Sequence, residues 1–211
     1  AMLKKEFEFP KVFTKLNKGT FGEYKNVSYF GINGSTKEDV RNQVKVLYYN
    51  SKEDFAVKLL TKSEDEVIIS KGNSQNTFAQ IYSEIQTASE NYTGNKVFSE
   101  MDRLQIPNID FNQKEEFTEL ENKTFLFSDG EEYEIEKAVQ TIKFSLDEKG
   151  GKIKSEAGMM AKNTSILAPG GPREFIVDDT FCIFLKEKNK DLPYFAAKIS
   201  DISQVQSDAK K

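Results

Sequence analysis

The sequence predicts an α+β fold built mostly of antiparallel strands with few helices. Apolar and polar side chains alternate, as in half-buried strands, over residues 104–111 and 139–146. One segment, 78–88, has the three- and four-residue apolar spacing of an amphipathic helix. With 17 Phe and 8 Tyr among 211 residues, the chain has enough large apolar side chains for a packed core.

The first strong strand signals predict a hairpin. Residues 44–49 and 55–60 are short runs rich in Val, Leu, Tyr and Phe, and the polar stretch 50–54 between them predicts a loop of several residues. The apolar run 67–69 follows and predicts a further strand.

The later strands have more varied patterns. Pro107 interrupts the run 104–111, which favours an edge strand or a bent strand because proline cannot donate to a ladder. A short helical turn is predicted over 114–120. Residues 181–186 are an almost unbroken apolar run, typical of a strand buried on both faces, and 194–199 is predicted as the closing strand.

The predicted helix begins after Ser74 or Asn76, either of which can cap it, and Gly94 lies just beyond its end. Its apolar face consists of Phe78, Ile81, Tyr82, Ile85 and Ala88. We interpret this stripe as core packing.

Length and composition predict one domain over residues 1–202, followed by a polar tail over 203–211 that we expect to fray. Ala1 and Met2 look like the remnant of a tag, so the natural start of the protein is expected to lie elsewhere.

Composition excludes several classes of function. The chain has no histidine, which removes Ser-His-Asp and Cys-His catalysis and His-ligated zinc. The adjacent carboxylates at 131–132 and 178–179 would point to opposite faces of a strand and would not converge on a substrate. We therefore expect no enzyme activity, no cofactor and no metal. A net charge of −4 without a basic patch argues against nucleic-acid binding, and no apolar run is long enough for a membrane span.

The single cysteine, Cys182, lies in an apolar run and is predicted to be a buried, inert thiol. Five Asn-x-Ser/Thr sequons favour an extracellular protein, although an Asn- and Ser-rich chain also produces them, so the compartment stays open. The sequon residues are Asn26, Asn33, Asn91, Asn122 and Asn163.

The stretch 150–172 interrupts these patterns. It has no core-forming period, and Gly or Pro lies at both ends. Structureless loops of this length are uncommon in compact domains and are usually functional or disordered.

Motifs on both sides of this loop resemble serpin sequence. They are the strand end Asp147-Glu148-Lys149-Gly150, the motif Pro172-Arg173-Glu174-Phe175, the apolar strand 181–185 and the closing strand 193–200. Their order is similar to that in the C-terminal half of a serpin, where a strand leads through a small-residue hinge into an exposed reactive loop. Weaker matches upstream, over 43–60 and 104–120, keep the family order, so the resemblance covers nearly the whole chain.

The resemblance implies a serine or cysteine protease inhibitor that acts as a suicide substrate. In that mechanism a protease forms an acyl-enzyme with the loop, and the cleaved loop inserts into a sheet as an extra strand. Family spacing places the scissile bond between Thr164 and Ser165. The residues that the resemblance assigns to the hinge are Glu148, Lys149, Gly150, Gly151, Ile153, Ser155 and Ala157.

Two other interpretations stay open. A two-residue period puts Gly151, Ile153, Ser155 and Ala157 on one face of an inserting strand, but Ile153 is bulky where the family has small residues. This departure favours a non-inhibitory serpin-like module for binding or architecture. The third interpretation is a plain α+β domain with a disordered loop.

The expected partner is a protease or another protein that binds the loop 150–172. The resemblance also implies that a missing N-terminal half, or a partner chain, supplies the remaining strands of a serpin.

Overall fold

The computed structural model describes residues 2–4, 7–126, 128–150 and 171–211. Within these residues there are 16 strands and two α-helices, α1 (Glu38–Arg41) and α2 (Phe78–Asn91). Nearly all neighbouring strands are antiparallel; the exceptions in the described chain are β1 against β13 and β14 against β9. The predicted α+β fold with few helices is confirmed.

The largest sheet has five antiparallel strands in the order β16-β15-β8-β7-β6. Its strands are β6 (Val44–Ser51), β7 (Asp54–Leu60), β8 (Asp65–Lys71), β15 (Phe181–Glu187) and β16 (Phe195–Ile199). Every residue of β8 is buried, as are the first five of β15. One face packs on α2 and the other on the main core, so the predicted burial of both faces of β15 is confirmed.

The connection between β6 and β7 is shorter than predicted. Only Lys52 and Glu53 separate the two strands, because the polar residues before them continue the ladder as far as Ser51. The Asn50 side-chain amide donates to the Asp54 carboxylate at 2.8 Å, which closes the hairpin. Polar composition alone therefore overestimated the length of this loop.

Helix α2 begins one residue later than a cap at Asn76 would place it, and three residues later than a cap at Ser74 would. Its N-cap is Thr77, not Ser74 or Asn76, and the Thr77 hydroxyl accepts a hydrogen bond from the Gln80 backbone N–H at 3.3 Å. Three residues of the predicted face are buried, Ile81, Tyr82 and Ile85. Phe78 lies in the first turn and is exposed, and Ala88 is half-buried.

A four-stranded sheet has the order β14-β9-β5-β2, and a three-stranded sheet has the order β1-β13-β10. The strands of the first are β2 (Thr14–Lys15), β5 (Tyr29–Ile32), β9 (Arg103–Pro107) and β14 (Glu174–Ile176). The strands of the second are β1 (Met2–Lys4), β10 (Ile109–Glu116) and β13 (Val139–Leu146).

The run containing Pro107 belongs to both sheets. Pro107 is the last residue of β9, Asn108 is the junction, and β10 begins at Ile109. The prediction of a bend is confirmed, but β9 is not an edge strand because it lies between β14 and β5. The predicted helical turn over 114–120 is also shorter, since β10 continues to Glu116 and only a 3-10 turn follows, Thr118–Leu120.

Two small hairpins complete the strands, β3 (Gly19–Phe21) with β4 (Tyr24–Val27) and β11 (Thr124–Leu126) with β12 (Glu132–Glu134). The core between the sheets is rich in phenylalanine. Phe9 and Phe13 meet edge to face at 4.7 Å between ring centroids. Phe144 of β13 lies 5.2 Å from Phe195 of β16, which joins the three-stranded sheet to the five-stranded one.

The C-terminal residues correct the prediction of a frayed tail over 203–211. Val205 and Ala209 are buried, and the backbones of Lys210 and Lys25 exchange two hydrogen bonds at 2.7 and 3.2 Å. The Gln206 side chain accepts from the Ser28 N–H at 2.8 Å and donates to the Ser28 and Asn108 carbonyls. Apolar residues spaced four apart within a polar sequence therefore hold the tail in place. None of the helices in the described chain is long and apolar enough to cross a membrane.

Replacing Gln206 by Ala is expected to lower the free energy of unfolding by about 1–3 kcal/mol, because it leaves partly buried backbone groups of Ser28 and Asn108 without their partner. Urea unfolding followed by circular dichroism measures the change. Ser207→Ala, at an exposed neighbouring position, serves as the control and should change stability by no more than about 0.5 kcal/mol. Equal stabilities of the two variants would contradict a structural role for the tail.

Candidate functional site

The candidate site is the base of the long loop, where the described chain leaves β13 and re-enters at β14. Strand β13 pairs with β10, and β14 pairs with β9. Because β9 and β10 are joined by the single residue Asn108, both ends of the loop are attached to one continuous stretch of chain. The interpretation of 150–172 as a connection between two sheet strands agrees with this topology.

The register of these strands limits the distance between the two ends. Leu146 is opposite Ile109, and Glu174 is opposite Arg103. From Arg103 to Ile109 the chain advances six residues, and one strand spacing is added at each end to reach Glu174 and Leu146. The distance between Leu146 and Glu174 is therefore at most roughly 30 Å. Residues 147–173 would span roughly 90 Å if fully extended. The connection is therefore about three times longer than the gap it closes.

The loop leaves β13 through a tight turn that requires glycine. Asp147 and Gly150 form an isolated bridge, and Gly150 has a φ of +114°, which an L-residue with a side chain rarely adopts. A Cβ at Gly150 would lie 2.6 Å from the Phe7 carbonyl oxygen and 2.7 Å from Glu8 Cα. The predicted hinge glycine is thus packed directly against the backbone of another segment.

Glu148 and Lys149, also predicted hinge residues, are held by the same segment. The Phe13 N–H donates to the Glu148 carbonyl at 2.8 Å, and the Phe9 N–H donates to the Lys149 carbonyl at 2.9 Å. The Glu148 carboxylate is buried and forms an ion pair with the exposed Lys15 ammonium at 3.3 Å. The N-terminal side of the loop is therefore fixed mainly by backbone contacts with residues 7–13.

The other end is fixed by Arg173, whose guanidinium donates five hydrogen bonds. Two reach the nearly inaccessible Asp102 carboxylate, from Nε at 3.2 Å and from Nη2 at 2.6 Å. The other three reach the Tyr92 hydroxyl, the Asn95 carbonyl and the Val97 carbonyl. Burial lowers the pKa of Arg173, but the hydrogen bonds and charge of Asp102 outweigh it and raise the pKa above its ordinary value. All five donors of this guanidinium are satisfied.

Phe175 adds an apolar anchor next to this ion pair. Its ring is fully buried and lies 4.8 to 5.4 Å from the rings of Tyr49, Phe55 and Phe98. The Arg173 guanidinium also lies over the Phe175 ring, 5.3 Å from its centroid. Strand β14 has only three residues, so these side chains supply much of its attachment.

Asp178, which follows β14 along the chain, contacts a buried lysine, Lys71 of β8. Lys71 Nζ lies 2.6 Å from the Asp178 carboxylate and 2.6 Å from the Glu53 carboxylate. Burial lowers the pKa of Lys71, but its hydrogen bonds to Asp178 and Glu53 outweigh burial and raise it. Asp178 therefore has a structural partner in Lys71.

Several predicted site residues lie outside the described residues. They are the hinge residues Gly151, Ile153, Ser155 and Ala157 and the scissile-bond residues Thr164 and Ser165. Their assignments remain predictions.

The sequence did not reveal the partners of the loop anchors. Arg173 was recognised as part of a motif, but Asp102 is 71 residues away and Lys15 is more than 130 residues before Glu148. In the sequence, Asp102 is visible only as an acidic residue immediately before the run 103–107. That position does not indicate that its partner is Arg173.

No site for metal or thiol chemistry is found in the described chain. No group of three or more potential metal-ligating side chains occurs among the described residues. Cys182 is buried in β15, and burial raises the pKa of its thiol to about 11 against the smaller, opposing effect of Lys198. This agrees with the predicted inert thiol.

Comparison with known proteins identifies the fold. No family model matches the chain, and no curated protein matches its sequence. Solved structures do match, and those with the best probabilities are all serpins. The chain has the fold of a serpin C-terminal half.

Three of these serpin structures illustrate the match. Serpin48 from the insect Tenebrio molitor has a TM-score of 0.54 and 17% identity over 92% of this chain and 52% of that chain. Mouse protein-Z dependent protease inhibitor has a TM-score of 0.59 and 13% identity over 94% and 53%. Thyroxine-binding globulin, in complex with thyroxine, has a TM-score of 0.53 and 11% identity over 92% and 53%. The chain thus spans about half the length of the serpins it matches.

Replacing Asp102 by Ala is expected to lower the free energy of unfolding by about 3–5 kcal/mol, because the buried Arg173 would lose its counter-ion. Urea unfolding measures the loss. The matched control is Glu100→Ala, at an exposed acidic residue two positions away. If Asp102→Ala does not fold, Asp102→Asn should still fold with a smaller loss. An Asp102→Ala variant as stable as the control would contradict the proposed anchor.

The Cys182 thiol is expected to react with a disulfide reagent slowly in the native chain and rapidly in denaturant. Because its pKa is about 11, the native rate should continue to rise with pH above 9 as the thiolate fraction increases. Absorbance of the released chromophore between pH 7 and 10 gives the rate. A native rate that levels off near pH 9 would contradict the raised pKa of the native thiol.

Proposed function

We propose that this chain is part of a serpin-type protease inhibitor and that residues 150–172 form its bait loop. The observation that carries the proposal is the attachment of this segment between β13 and β14, with roughly three times the length that the gap requires. Two of the similar structures, Serpin48 and the mouse protein-Z dependent protease inhibitor, are named as a serpin and as a protease inhibitor.

In this proposal the chemistry belongs to the protease, and the chain is not an enzyme. The protease nucleophile attacks the carbonyl carbon of Thr164, an ester or thioester to Thr164 forms, and the amine of Ser165 leaves with a proton from the protease. The inhibitor needs only to change shape before water hydrolyses the acyl-enzyme. The absence of histidine is compatible with this role, because no proton shuttle is required of the chain.

The insertion site that fits this mechanism lies between β1 and β13. These strands are parallel and pair at only three positions, Met2↔Thr141, Leu3↔Ile142 and Lys4↔Lys143. An inserting strand would replace this short ladder with two ladders. It would also have to break the bridge between Glu8 and Gly150, the residue at the start of the loop.

The second candidate is a non-inhibitory serpin-like module that binds another protein or a ligand. The close packing of Gly150 against the Phe7 and Glu8 backbone favours it, because an inhibitor would have to break this contact to open the sheet and a binding module would not. Ile153 and the two lysines at 152 and 154 also differ from the small hinge residues of the family. Among the similar structures, the thyroxine-binding globulin is a complex with thyroxine, so the fold is also used for binding.

A panel of serine and cysteine proteases tests the two candidates. The chain is incubated with each protease, at equimolar concentration and in excess, and the products are separated on denaturing gels. An inhibitor should give a covalent band of higher mass, with cleavage mapped by mass spectrometry to Thr164–Ser165, or after Lys162 for a trypsin-like protease. Cleavage in the loop without such a band, under both conditions, would reject inhibition in favour of the binding module.

A pair of loop variants tests insertion directly. Ser155→Arg places a large charge on the face that would enter the sheet, so the covalent band should fall at least tenfold while the rate of loop cleavage stays the same. Lys154→Arg keeps the charge on the opposite face and should behave as the parent chain. Equal yields of the covalent band from both variants would show that the loop does not insert in the predicted register.

A further inference from the structure

The connection between β10 and β13 is a hairpin, residues 117–138, whose described residues add no buried side chain to the core. Strands β11 and β12 pair with each other, and in the described chain neither joins another sheet. Every described residue of 117–138 is exposed or half-buried. The hairpin is nevertheless well formed, since the Asn122 N–H donates to the Ile135 carbonyl at 2.9 Å and the Ile135 N–H donates to the Lys123 carbonyl at 3.0 Å.

The hairpin concentrates exposed apolar side chains. Leu120, Phe125, Leu126 and Tyr133 are four of the eight large apolar side chains that the described chain exposes. Leu126 is 69% exposed, Tyr133 45% and Phe125 41%. Scattered exposed apolar residues need no explanation, but half of those in the described chain lie within these 22 residues, a local concentration that favours an interaction site.

Strand pairing places two of these side chains, Phe125 and Tyr133, on one aromatic face. Phe125 and Tyr133 are directly opposite each other, and their rings are stacked with centroids 6.4 Å apart. The Tyr133 hydroxyl donates to the Asp129 carboxylate at 3.3 Å, so a negative charge lies at the edge of this face. The neighbouring pairs, Leu126 with Glu132 and Thr124 with Glu134, lie on the opposite face.

The charge of the hairpin is strongly negative. Seven acidic and two basic side chains lie within 117–138, a net charge of −5, although the whole chain carries only −4. A field of this sign repels nucleic acids, anionic lipid surfaces and a second copy of the same hairpin. It attracts a cationic partner, and stacked aromatic rings beside carboxylates are a favourable environment for Lys and Arg side chains.

We infer that the hairpin 117–138 is a docking surface for a basic protein segment that is rich in Lys and Arg and contains some apolar residues. The hairpin joins β10 and β13 at Glu116 and Val139, whereas the loop departs from the opposite end of β13, after Leu146. Eight residues of strand, roughly 25 Å, separate the two positions. The surface is therefore distinct from the bait loop and does not depend on protease inhibition.

The test uses the full chain and a fluorescent 14-residue peptide of alternating Lys-Arg pairs and Leu as the probe. Fluorescence anisotropy at low salt should give saturable binding that weakens at least tenfold between 50 and 500 mM NaCl. Amide hydrogen exchange should locate protection within 117–138. A peptide with Glu in place of Lys and Arg should not bind.

Matched charge-reversal variants distinguish binding at the hairpin from binding that depends only on the overall negative charge of the chain. Glu132→Lys/Glu134→Lys reduces the net charge of the hairpin from −5 to −1 and should weaken binding at least tenfold through the loss of the field. The control Glu23→Lys/Asp208→Lys makes the same change of charge at two exposed carboxylates elsewhere and should change affinity less than twofold. Phe125→Leu retains apolar area and removes one ring, so it should weaken binding about threefold to tenfold. Circular dichroism confirms that each variant is folded. Equal losses in the two charge-reversal variants, or protection outside 117–138, would overturn the inference.

Discussion

The single-residue junction at Asn108 is the constraint on which the geometry of the loop depends. Asn108 lies between the last residue of β9 and the first residue of β10, which belong to different sheets. The two strands that hold the loop ends therefore cannot shift independently. The backbone of Asn108 is fixed on both sides, since its N–H donates to the Ser28 carbonyl at 2.9 Å and its carbonyl accepts from the Gln206 amide at 2.7 Å. The C-terminal tail thereby stabilises a junction to which both ends of the loop are indirectly attached.

The two ends of the loop are held by different kinds of interaction. The end at Gly150 depends on backbone hydrogen bonds and on the lack of a side chain, and these contacts can be exchanged for other backbone contacts at small net cost. The end at Arg173 depends on a partly buried ion pair and on an aromatic cluster around Phe175, and breaking either would leave a charge or an apolar ring without its partner. A rearrangement of the loop would therefore begin at the Gly150 end, while β14 remains in place.

Much of the fold could be predicted because local patterns determine it. The helix, the buried strand at 181–186 and the alternating strand at 139–146 were recognised from periodicity within each segment. The errors have local causes as well: polar residues at 50 and 51 continue a ladder, and Val205 and Ala209 are apolar residues in a polar tail. The partners of the site were not predictable, because ion pairs such as Arg173–Asp102 join residues distant in sequence.

The hairpin at 117–138 raises the question of why two paired strands are joined by such a long connection. Strands β10 and β13 pair along all eight residues, so their connection needs only a short turn, and the remaining residues add exposed apolar surface without burying any in return. Exposed aromatic residues lower solubility, and the dense negative charge around them limits self-association. The same two properties, apolar side chains and a strong field of one sign, favour a partner of opposite charge. A connection selected only for closing the sheet would be expected to have neither property.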